Sequence, residues 1–183
     1  MGEAINLVEN FKVEKIIFNC GETNDLEKKL IKVLEKKKIK YNFCIKELNI
    51  DNNKLHFLQT KEYDNENDNS NVIYTELNGY KFMFMGDAGI EKEKDILNKY
   101  KISNVDVLKV GHHGSKTSSS KTFINEINPK YSVISVGKNN RYGHPNREVL
   151  NNLEQSKIYR TDQDGSIMFK IKNNKLKIET YSP

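Results

Sequence analysis

Apolar and polar positions alternate along the chain with two periods, which predict strands and helices in turn. Short apolar runs and every-second-residue patterns predict strands, whereas apolar faces at three- and four-residue spacing predict helices. Strands are predicted at 15–20, 41–48, 55–58, 72–77, 80–85, 107–110, 131–136, 158–160, 166–172 and 175–180. Helices are predicted at 1–11, 24–38, 90–100, 123–127 and 146–155. We therefore expect an α/β fold of the α+β type, in which helices cover a mixed sheet.

Two connections and one helix start add detail to this pattern. Asn78-Gly79 predicts a tight hairpin between two strands. The polar segment 61–71 predicts a mobile loop, and its last residues, 67–71, lead directly into a strand, where one of them could reach a site. The first helix begins without a preceding N-cap residue.

Length and composition indicate one domain with a buried core. The chain has 183 residues, of which 36% are hydrophobic, and its net charge of +5 permits binding to a polyanion without demonstrating it. Its arginines, Arg141, Arg147 and Arg160, all lie around or after His144. Phosphate contacts and ordinary ion pairs explain this clustering equally well.

Cysteine usage and hydropathy limit the environments to which the chain is suited. Cys20 and Cys44 lie in separate apolar runs and are predicted to be small buried residues, with neither a disulfide framework nor a CxxC metal site. No apolar run is long enough to span a bilayer and no signal peptide is recognised, so we expect the chain as given to be soluble, without membrane contact of its own.

Three glycine-containing loops after predicted strands carry the candidate chemistry. Asp87 follows one strand, His112 and His113 follow the next in GHHGS, and His144 follows another in YGHP. A strand fixes the backbone and glycine lets it turn, so these side chains leave the sheet at its edge. Imidazole and carboxylate together suit zinc, manganese or iron. Taken singly, each residue is more simply explained by a turn or a helix cap.

The hydroxyl-rich segment 115–120, SKTSSS, follows the histidine pair and has two explanations. Capping of the next helix is the simpler one. A cradle of hydroxyl and amide groups for phosphate is the alternative, with Ser115, Lys116 and Thr117 as its candidate residues.

Four motifs together resemble one family. They are FMGDAG, DVLKVGHHGSKTSSS, YSVISVGKNNRYGHP and YRTDQDGSI, within the stretch from Ser70 to Gly165. They are similar to the metallo-β-lactamase-fold hydrolase domain of the ComEC-type DNA-uptake (competence) proteins. The resemblance implies an αββα sandwich with a metal site at one edge and hydrolysis of DNA strands.

The resemblance also assigns roles to residues. Asp87 matches the metal-bridging carboxylate, and His112 and His113 match a metal-ligand loop in which either histidine could ligate. His144 matches a late histidine that faces substrate or metal. Catalysis would then involve Asp87, His113 and His144, and Ser115, Lys116, Thr117, Arg141 and His144 would contact the substrate. The implied cofactor is a divalent metal, zinc or manganese, and the implied partner is single-stranded DNA.

The sequence departs from the family at its principal metal motif, HxHxDH, because no HxH occurs in it. We expect the chain to correspond to the part of a longer protein after that motif, with the sandwich incomplete at its N-terminus. Residues 1–183 would then form a single, C-terminal portion of the domain. That portion would hold one metal weakly or none, and it could dimerise to cover exposed surface. The longer protein would be membrane-anchored, with this domain outside the cytoplasm.

Two classes of function follow from these observations. One is part of a metal-dependent phosphodiesterase acting on DNA, with little or no activity in this chain alone. The other is a metal-free module of the same fold that binds nucleic acid or a partner. A hydrolase of the same fold acting on another ester is a further alternative.

Overall fold

The computed structural model describes residues 3–182, and these form two compact units that divide between Ile45 and Lys46. The first unit contains helix α1 (Ala4–Asn10), strand β1 (Lys15–Phe18), helix α2 (Asp25–Lys36) and strand β2 (Lys40–Phe43). β1 and β2 pair in parallel, as expected for strands joined through a helix. Asn24 and Glu27 form a capping box at the start of α2. The prediction that 1–183 form a single domain stays a prediction.

Cys20 and Cys44 are joined by a disulfide, which corrects the prediction that they are separate buried thiols. Each cysteine follows one of the two parallel strands, β1 and β2, so strand pairing brings the two residues together. They lie 24 positions apart in sequence, and only the tertiary pairing of these strands makes them neighbours. Cysteine spacing by itself does not reveal such a bridge.

The predicted strand 41–48 is wrong as one element, because it is two strands belonging to different sheets. β2 ends at Phe43, and strand β3 (Glu47–Ile50) begins in the second unit. Between them Cys44 has a φ of 52°, in the left-handed region, which interrupts an extended chain.

The second unit is built on a seven-stranded sheet in the order β3-β4-β5-β6-β7-β8-β9. Its remaining strands are β4 (Asn53–Phe57), β5 (Ile73–Leu77), β6 (Tyr80–Phe84), β7 (Val107–Lys109), β8 (Tyr131–Ile134) and β9 (Lys157–Arg160). Strands β3 to β6 are antiparallel, with the predicted Asn78-Gly79 turn between β5 and β6. Strands β6 to β9 are parallel. The predicted mixed sheet is confirmed.

Four helices complete the second unit: α3 (Ile90–Lys99), α4 (Lys121–Ile127), α5 (Arg147–Asn152) and α6 (Thr161–Asp164). Residues of α3, α4 and α5 share a core with one face of the sheet, in which Met83, Leu108 and Ile134 are fully buried. Burying an apolar side chain of this size contributes about 1.5–3 kcal/mol relative to leaving it exposed.

The opposite face of the sheet packs against a hairpin formed by β10 (Ser166–Lys172) and β11 (Lys175–Tyr181). The ring of Phe169 on β10 lies within 6.4 Å of the rings of Phe82, Tyr131 and Tyr159, measured between centroids. Helices on one face and a hairpin on the other therefore enclose the sheet, and the predicted α/β class is confirmed.

Segment 61–71, predicted to be mobile, is instead held by internal hydrogen bonds around a 3-10 turn (Glu66–Asn69). The side chain of Asn69 accepts from the Tyr63 amide and donates to the Tyr63 carbonyl. Asp68 and Asn69 are both buried. None of the helices described in residues 3–182 is long and apolar enough to cross a membrane.

Candidate metal and substrate site

The predicted site residues follow the carboxyl ends of neighbouring parallel strands. Asp87 follows β6, His112 and His113 follow β7, and His144 follows β8. Because β6, β7 and β8 run parallel, their carboxyl ends lie at one edge of the sheet. Binding sites of open α/β sheets form at this edge. The structure thus brings together residues that are up to 57 positions apart, counted from Asp87 to His144.

His113 and Asp87 form the closest pair of potential metal ligands. The His113 Nε2 atom lies 3.7 Å from the Asp87 Oδ1 atom, and both side chains are about half exposed. The other ring nitrogen of His113, Nδ1, lies 2.7 Å from the Ser135 carbonyl oxygen. A carbonyl can only accept, so Nδ1 donates to it and Nε2 is the ring nitrogen that faces Asp87. Protein ligands of zinc are oriented by this kind of second hydrogen bond.

The His112–His113 turn has an unusual backbone. His112 has a φ of 44° and His113 a φ of 56°, so two consecutive non-glycine residues are left-handed within the 3-10 turn Gly111–Gly114. Each such residue costs about 1–3 kcal/mol. A cost of this kind is retained where the surroundings over-determine the conformation, and it is typical of functional sites.

Two glycines allow this turn to pack against neighbouring backbone. A Cβ at Gly111 would lie 2.9 Å from the Ala88 carbonyl oxygen, in the Asp87 loop. A Cβ at Gly114 would lie 2.7 Å from the Pro145 Cβ, in the His144 loop. Gly114 also has a φ of 80°. These glycines therefore let the three loops of the site meet, which larger residues would prevent.

His112 points to a different set of neighbours from His113. Its Nδ1 atom lies 3.3 Å from the Thr117 hydroxyl, and its ring centroid lies 6.1 Å from that of His144. The sequence left open which histidine of the pair is the ligand. The geometry favours His113 as the partner of Asp87, with His112 between Thr117 and His144.

His144 is held through its backbone by Asn140. The Asn140 side chain accepts from the His144 amide and donates to the His144 carbonyl, each at 2.8 Å. The ring of Tyr142 stacks on that of His144 at 5.9 Å between centroids. Burial lowers the pKa of His144, and the charges of His112 and His113 lower it further. His144 is therefore neutral at pH 7.

A cavity of ≈ 430 Å³ adjoins these residues. His113 and His144 both line it, together with Asn140, Tyr142 and Thr161. Thr161 closes one side by exchanging hydrogen bonds with Val136: its hydroxyl donates to the Val136 carbonyl and accepts from the Val136 amide. The cavity is open to solvent along the exposed Tyr142 ring, which leaves room for a substrate beside the two histidines.

Two residues that the sequence did not single out hold the Asp87 loop by hydrogen bonds to its backbone. The Ser70 hydroxyl accepts from the Asp87 amide at 3.1 Å, and the Asp68 carboxylate accepts from the Gly89 amide at 2.6 Å. Ser70 and Asp68 thus contact the backbone of the Asp87 loop, and the expectation that a residue of 67–71 could reach a site stays a prediction. Lys109 was not singled out either, and its ammonium group donates to the Val110 carbonyl. Burial lowers its pKa, an effect that the charge of Asp87 opposes.

The hydroxyl-rich segment mostly serves local structure. The Ser120 side chain caps α4, and the Ser118 hydroxyl donates to the carbonyls of Gly111 and Ser115. The buried Glu93 carboxylate accepts from the Ser119 and Ser120 amides, and burial raises the pKa of Glu93. The capping explanation thus holds for Ser120.

The predicted phosphate-binding residues fall into two groups. Ser115 is buried and hydrogen-bonded to Thr117, whereas Lys116 and Thr117 are exposed. Arg141 lies over the Tyr142 ring, with its guanidinium carbon 5.1 Å from the ring centroid. Arg160 is engaged in a two-pronged ion pair with Asp162, whose pKa is lowered by that interaction. Arg160 is thus an ion-pair residue, whereas Arg141 is exposed and donates a hydrogen bond to the hydroxyl of the neighbouring Tyr142.

The donor set matches part of a metal coordination shell. Two ligands of one tetrahedral zinc lie about 3.4 Å apart at ordinary bond lengths, close to the separation of His113 Nε2 and Asp87 Oδ1. A catalytic zinc takes about three protein ligands. Within residues 3–182, however, no group of three or more histidine, cysteine, aspartate or glutamate side chains is arranged to hold a metal ion. The His113–Asp87 pair by itself therefore falls short of the three protein ligands of a catalytic zinc.

The fold and the site together define an α/β protein with an imidazole–carboxylate pair at the carboxyl edge of its parallel strands. The chain belongs to the family of ComEC-type competence proteins, which confirms the resemblance. It is 35% identical over its whole length to ComE operon protein 3 of Bacillus subtilis, and 38% identical, over 62% of its length, to competence protein ComA of Neisseria gonorrhoeae. It spans 24% of the length of the first and 17% of the second.

Two further comparisons complete this picture. No protein-family model matches the chain. Among solved structures, a Thermotoga maritima protein of the metallo-β-lactamase superfamily aligns over 79% of this chain and 72% of its own, with 18% sequence identity and a TM-score of 0.41.

Proposed function

We propose that this chain is part of a metal-dependent phosphodiesterase that hydrolyses single-stranded DNA in a competence protein. The observation that carries the proposal is the His113–Asp87 pair, with its 3.7 Å separation and with the second His113 nitrogen fixed by Ser135. An oriented imidazole next to a carboxylate is the donor combination that zinc and manganese accept. Membership of the competence family favours DNA as the substrate.

Each residue has a distinct role in this proposal. Asp87 and His113 would ligate the metal, and His112 would ligate or would steady Thr117 beside it. The metal, when bound, would supply Lewis-acid activation of a water molecule and of a phosphoryl oxygen. The remaining ligands would come from the part of the longer family members that this chain does not span.

The substrate side of the site would be formed by the cavity residues. His144, neutral at pH 7, would face the scissile phosphate and accept a proton or a hydrogen bond there. Arg141, Lys116 and Thr117 are exposed and would contact phosphate oxygens. Ser115 would act indirectly, by holding the Thr117 hydroxyl.

Localisation outside the cytoplasm belongs to the same proposal. The Cys20–Cys44 disulfide supports it, because disulfides persist in oxidising compartments and are rare in the cytosol. A membrane anchor would lie in the longer family members.

Cleavage of a labelled single-stranded oligonucleotide by the full-length protein tests the proposal. We expect hydrolysis that stops when a chelator is added. Asp87→Asn should reduce the rate at least about a hundredfold, because loss of a metal ligand removes several kcal/mol of transition-state stabilisation. Asp51→Asn, at an exposed turn, is the matched control and should leave the rate unchanged. Equal rates in both variants would refute the assignment of Asp87. Cleavage of carboxylic esters but not of DNA would favour the alternative, a hydrolase of the same fold that acts on another ester.

A metal-free binding module is the second candidate, favoured by the absence of a three-ligand group in residues 3–182. Binding that ignores chelators but falls steeply with salt would support it. A homodimer that covers exposed surface remains a prediction for this chain, to be checked by its mass in solution.

A further inference from the structure

The β10–β11 hairpin has two chemically different faces. Its inner face carries Ile167, Phe169 and Ile171, which are half-buried against the sheet. The residues between them point outward, and the pairing register places Lys170 opposite Lys177 and Lys172 opposite Lys175. The outer face therefore presents four lysines in two adjacent cross-strand pairs, and all four are exposed.

This arrangement places like charges against each other. Directly opposed like charges destabilise a strand pair. Lys170 is relieved by an ion pair with Glu179 at 2.5 Å. Within residues 3–182, Lys172, Lys175 and Lys177 have no ion pair with a carboxylate. Four positive charges against one negative charge leave an uncompensated cluster of +3 on a small surface, which attracts a polyanion.

The remaining residues of the outer face favour nucleic acid over a lipid surface. Met168, opposite Glu179, is an exposed apolar side chain of this face, but none lies between the two lysine pairs, whereas surface-bound membrane segments insert a whole apolar face. The exposed ring of Tyr181 lies at the far end of the same face, opposite Ser166. Its hydroxyl donates to Glu179, which lies between Tyr181 and the lysine pairs. A basic surface with an aromatic ring on the same face is typical of proteins that bind single strands.

The position of the hairpin connects this face to the candidate site. β10 begins directly after α6, whose first residue, Thr161, lines the cavity beside His113 and His144. The Tyr181 end of the outer face is therefore on the side of the site. The lysine end lies near the start of β6, where the Tyr80 hydroxyl donates to the Asn174 carbonyl.

We propose that the outer face of the β10–β11 hairpin binds the phosphate backbone of single-stranded nucleic acid, outside the candidate metal site. The choice of nucleic acid as the polyanion rests on the proposed function. The binding itself needs neither a metal nor hydrolysis.

The salt dependence of oligonucleotide binding tests this inference. Anisotropy of a labelled oligothymidine would be measured with the chain in a chelator, from about 50 to about 200 mM NaCl. The slope of log K against log salt is negative, and each lost contact to a single-strand phosphate makes it less steep by about 0.7, so Lys172→Gln with Lys175→Gln should make it less steep by about 1.4. The loss of affinity over this salt range should then be about sevenfold smaller than in the unchanged chain.

The matched control removes the same charge elsewhere. Lys29→Gln with Lys32→Gln changes two exposed lysines of α2 and should leave the slope unchanged. Equal slope changes in both double variants, or no binding by the unchanged chain, would overturn the inference. If Lys172→Gln with Lys175→Gln abolished binding to phosphatidylserine vesicles but left the oligonucleotide slope unaltered, the inference would be overturned in favour of a membrane surface. Binding is measured in a chelator and so does not depend on hydrolysis. A full-length protein that fails to hydrolyse DNA would therefore refute the proposed function without affecting the binding result.

Discussion

The strands β6, β7 and β8 and the loops that follow them are adjacent in sequence but differ in what they do. Met83, Leu108 and Ile134 on the strands are fully buried. A few residues later, Asp87 and His113 are half exposed, and His113 has a left-handed backbone. Packing on the strands fixes where the loops begin, so the loops can hold exposed polar groups and strained conformations. Stability and chemistry are thus carried by neighbouring but separate residues.

Leu108→Ala should produce the largest effect on stability. Leu108 is fully buried between the sheet and the helices, and a leucine-to-alanine change at such a position costs about 2–5 kcal/mol. Urea denaturation would measure the free energy of unfolding. Ile90→Ala is the control, since that side chain is 46% exposed and should cost less than about 1 kcal/mol. Similar losses for both variants would contradict the assignment of the core.

Gly114→Ala should produce the next largest effect, and it tests how the histidine turn meets the His144 loop. Gly79→Ala is a matched control, because Gly79 has nearly the same φ, 81° against 80°, with nothing within 4 Å of its added Cβ. Backbone strain should cost each variant about 1 kcal/mol. Gly114→Ala should cost about 1–3 kcal/mol more, because Pro145 must move. Equal unfolding free energies would show that the loops do not pack closely.

Asp162→Asn should have a smaller effect that depends on pH. Its hydrogen bonds from Arg160 lower the folded-state pKa below the ordinary value of 3.8. The ion pair therefore stabilises the fold above pH 3.8, and this contribution is lost as the pH falls through the folded pKa. We expect the variant to be less stable by about 1.5–3 kcal/mol at pH 7, with the difference from the unchanged chain shrinking below pH 3.8. Thermal unfolding of both proteins at several pH values would measure this difference in stability. A difference that stays constant between pH 7 and pH 3 would contradict the role of the ion pair.

His113→Gly should have the smallest effect on stability although it removes a site residue. Relief of the left-handed backbone returns about 1–2 kcal/mol, and loss of the hydrogen bond to the Ser135 carbonyl costs about 0.5–1.5 kcal/mol. The net change should be within about 1 kcal/mol by urea denaturation. A loss of several kcal/mol would mean that His113 is a packing residue and not a chemical one.

The local sequence pattern predicted much of this contrast between buried strands and the exposed loops that follow them. Apolar runs ending in glycine located β6 and β7 and the loops after them, so Asp87, His112 and His113 could be named from the sequence. Their meeting was implied by motif resemblance, whereas the parallel pairing that brings them together is a tertiary feature.

Other residues could not be found in this way because their roles depend on contacts between distant segments. Asn140 contributes through the His144 backbone, and Ser70 and Asp68 through the backbone of the Asp87 loop. The signal available in advance was the position of 67–71 before a strand. The Cys20–Cys44 bridge was missed for the same reason, since it depends on β1 and β2 pairing in parallel.

The most direct test of the central claim is a long-range ¹H–¹⁵N spectrum of the histidine rings, recorded with and without Zn²⁺. The chain has four histidines, so each ring is observed separately, and His56 on β4 serves as an internal control. We predict that His113 carries its proton on Nδ1 without metal. Its Nε2 resonance should shift more than that of any other histidine when zinc is added. This shift should be absent in the Asp87→Asn variant. A proton on Nε2, or a zinc response of His113 no larger than that of His56, would contradict the account.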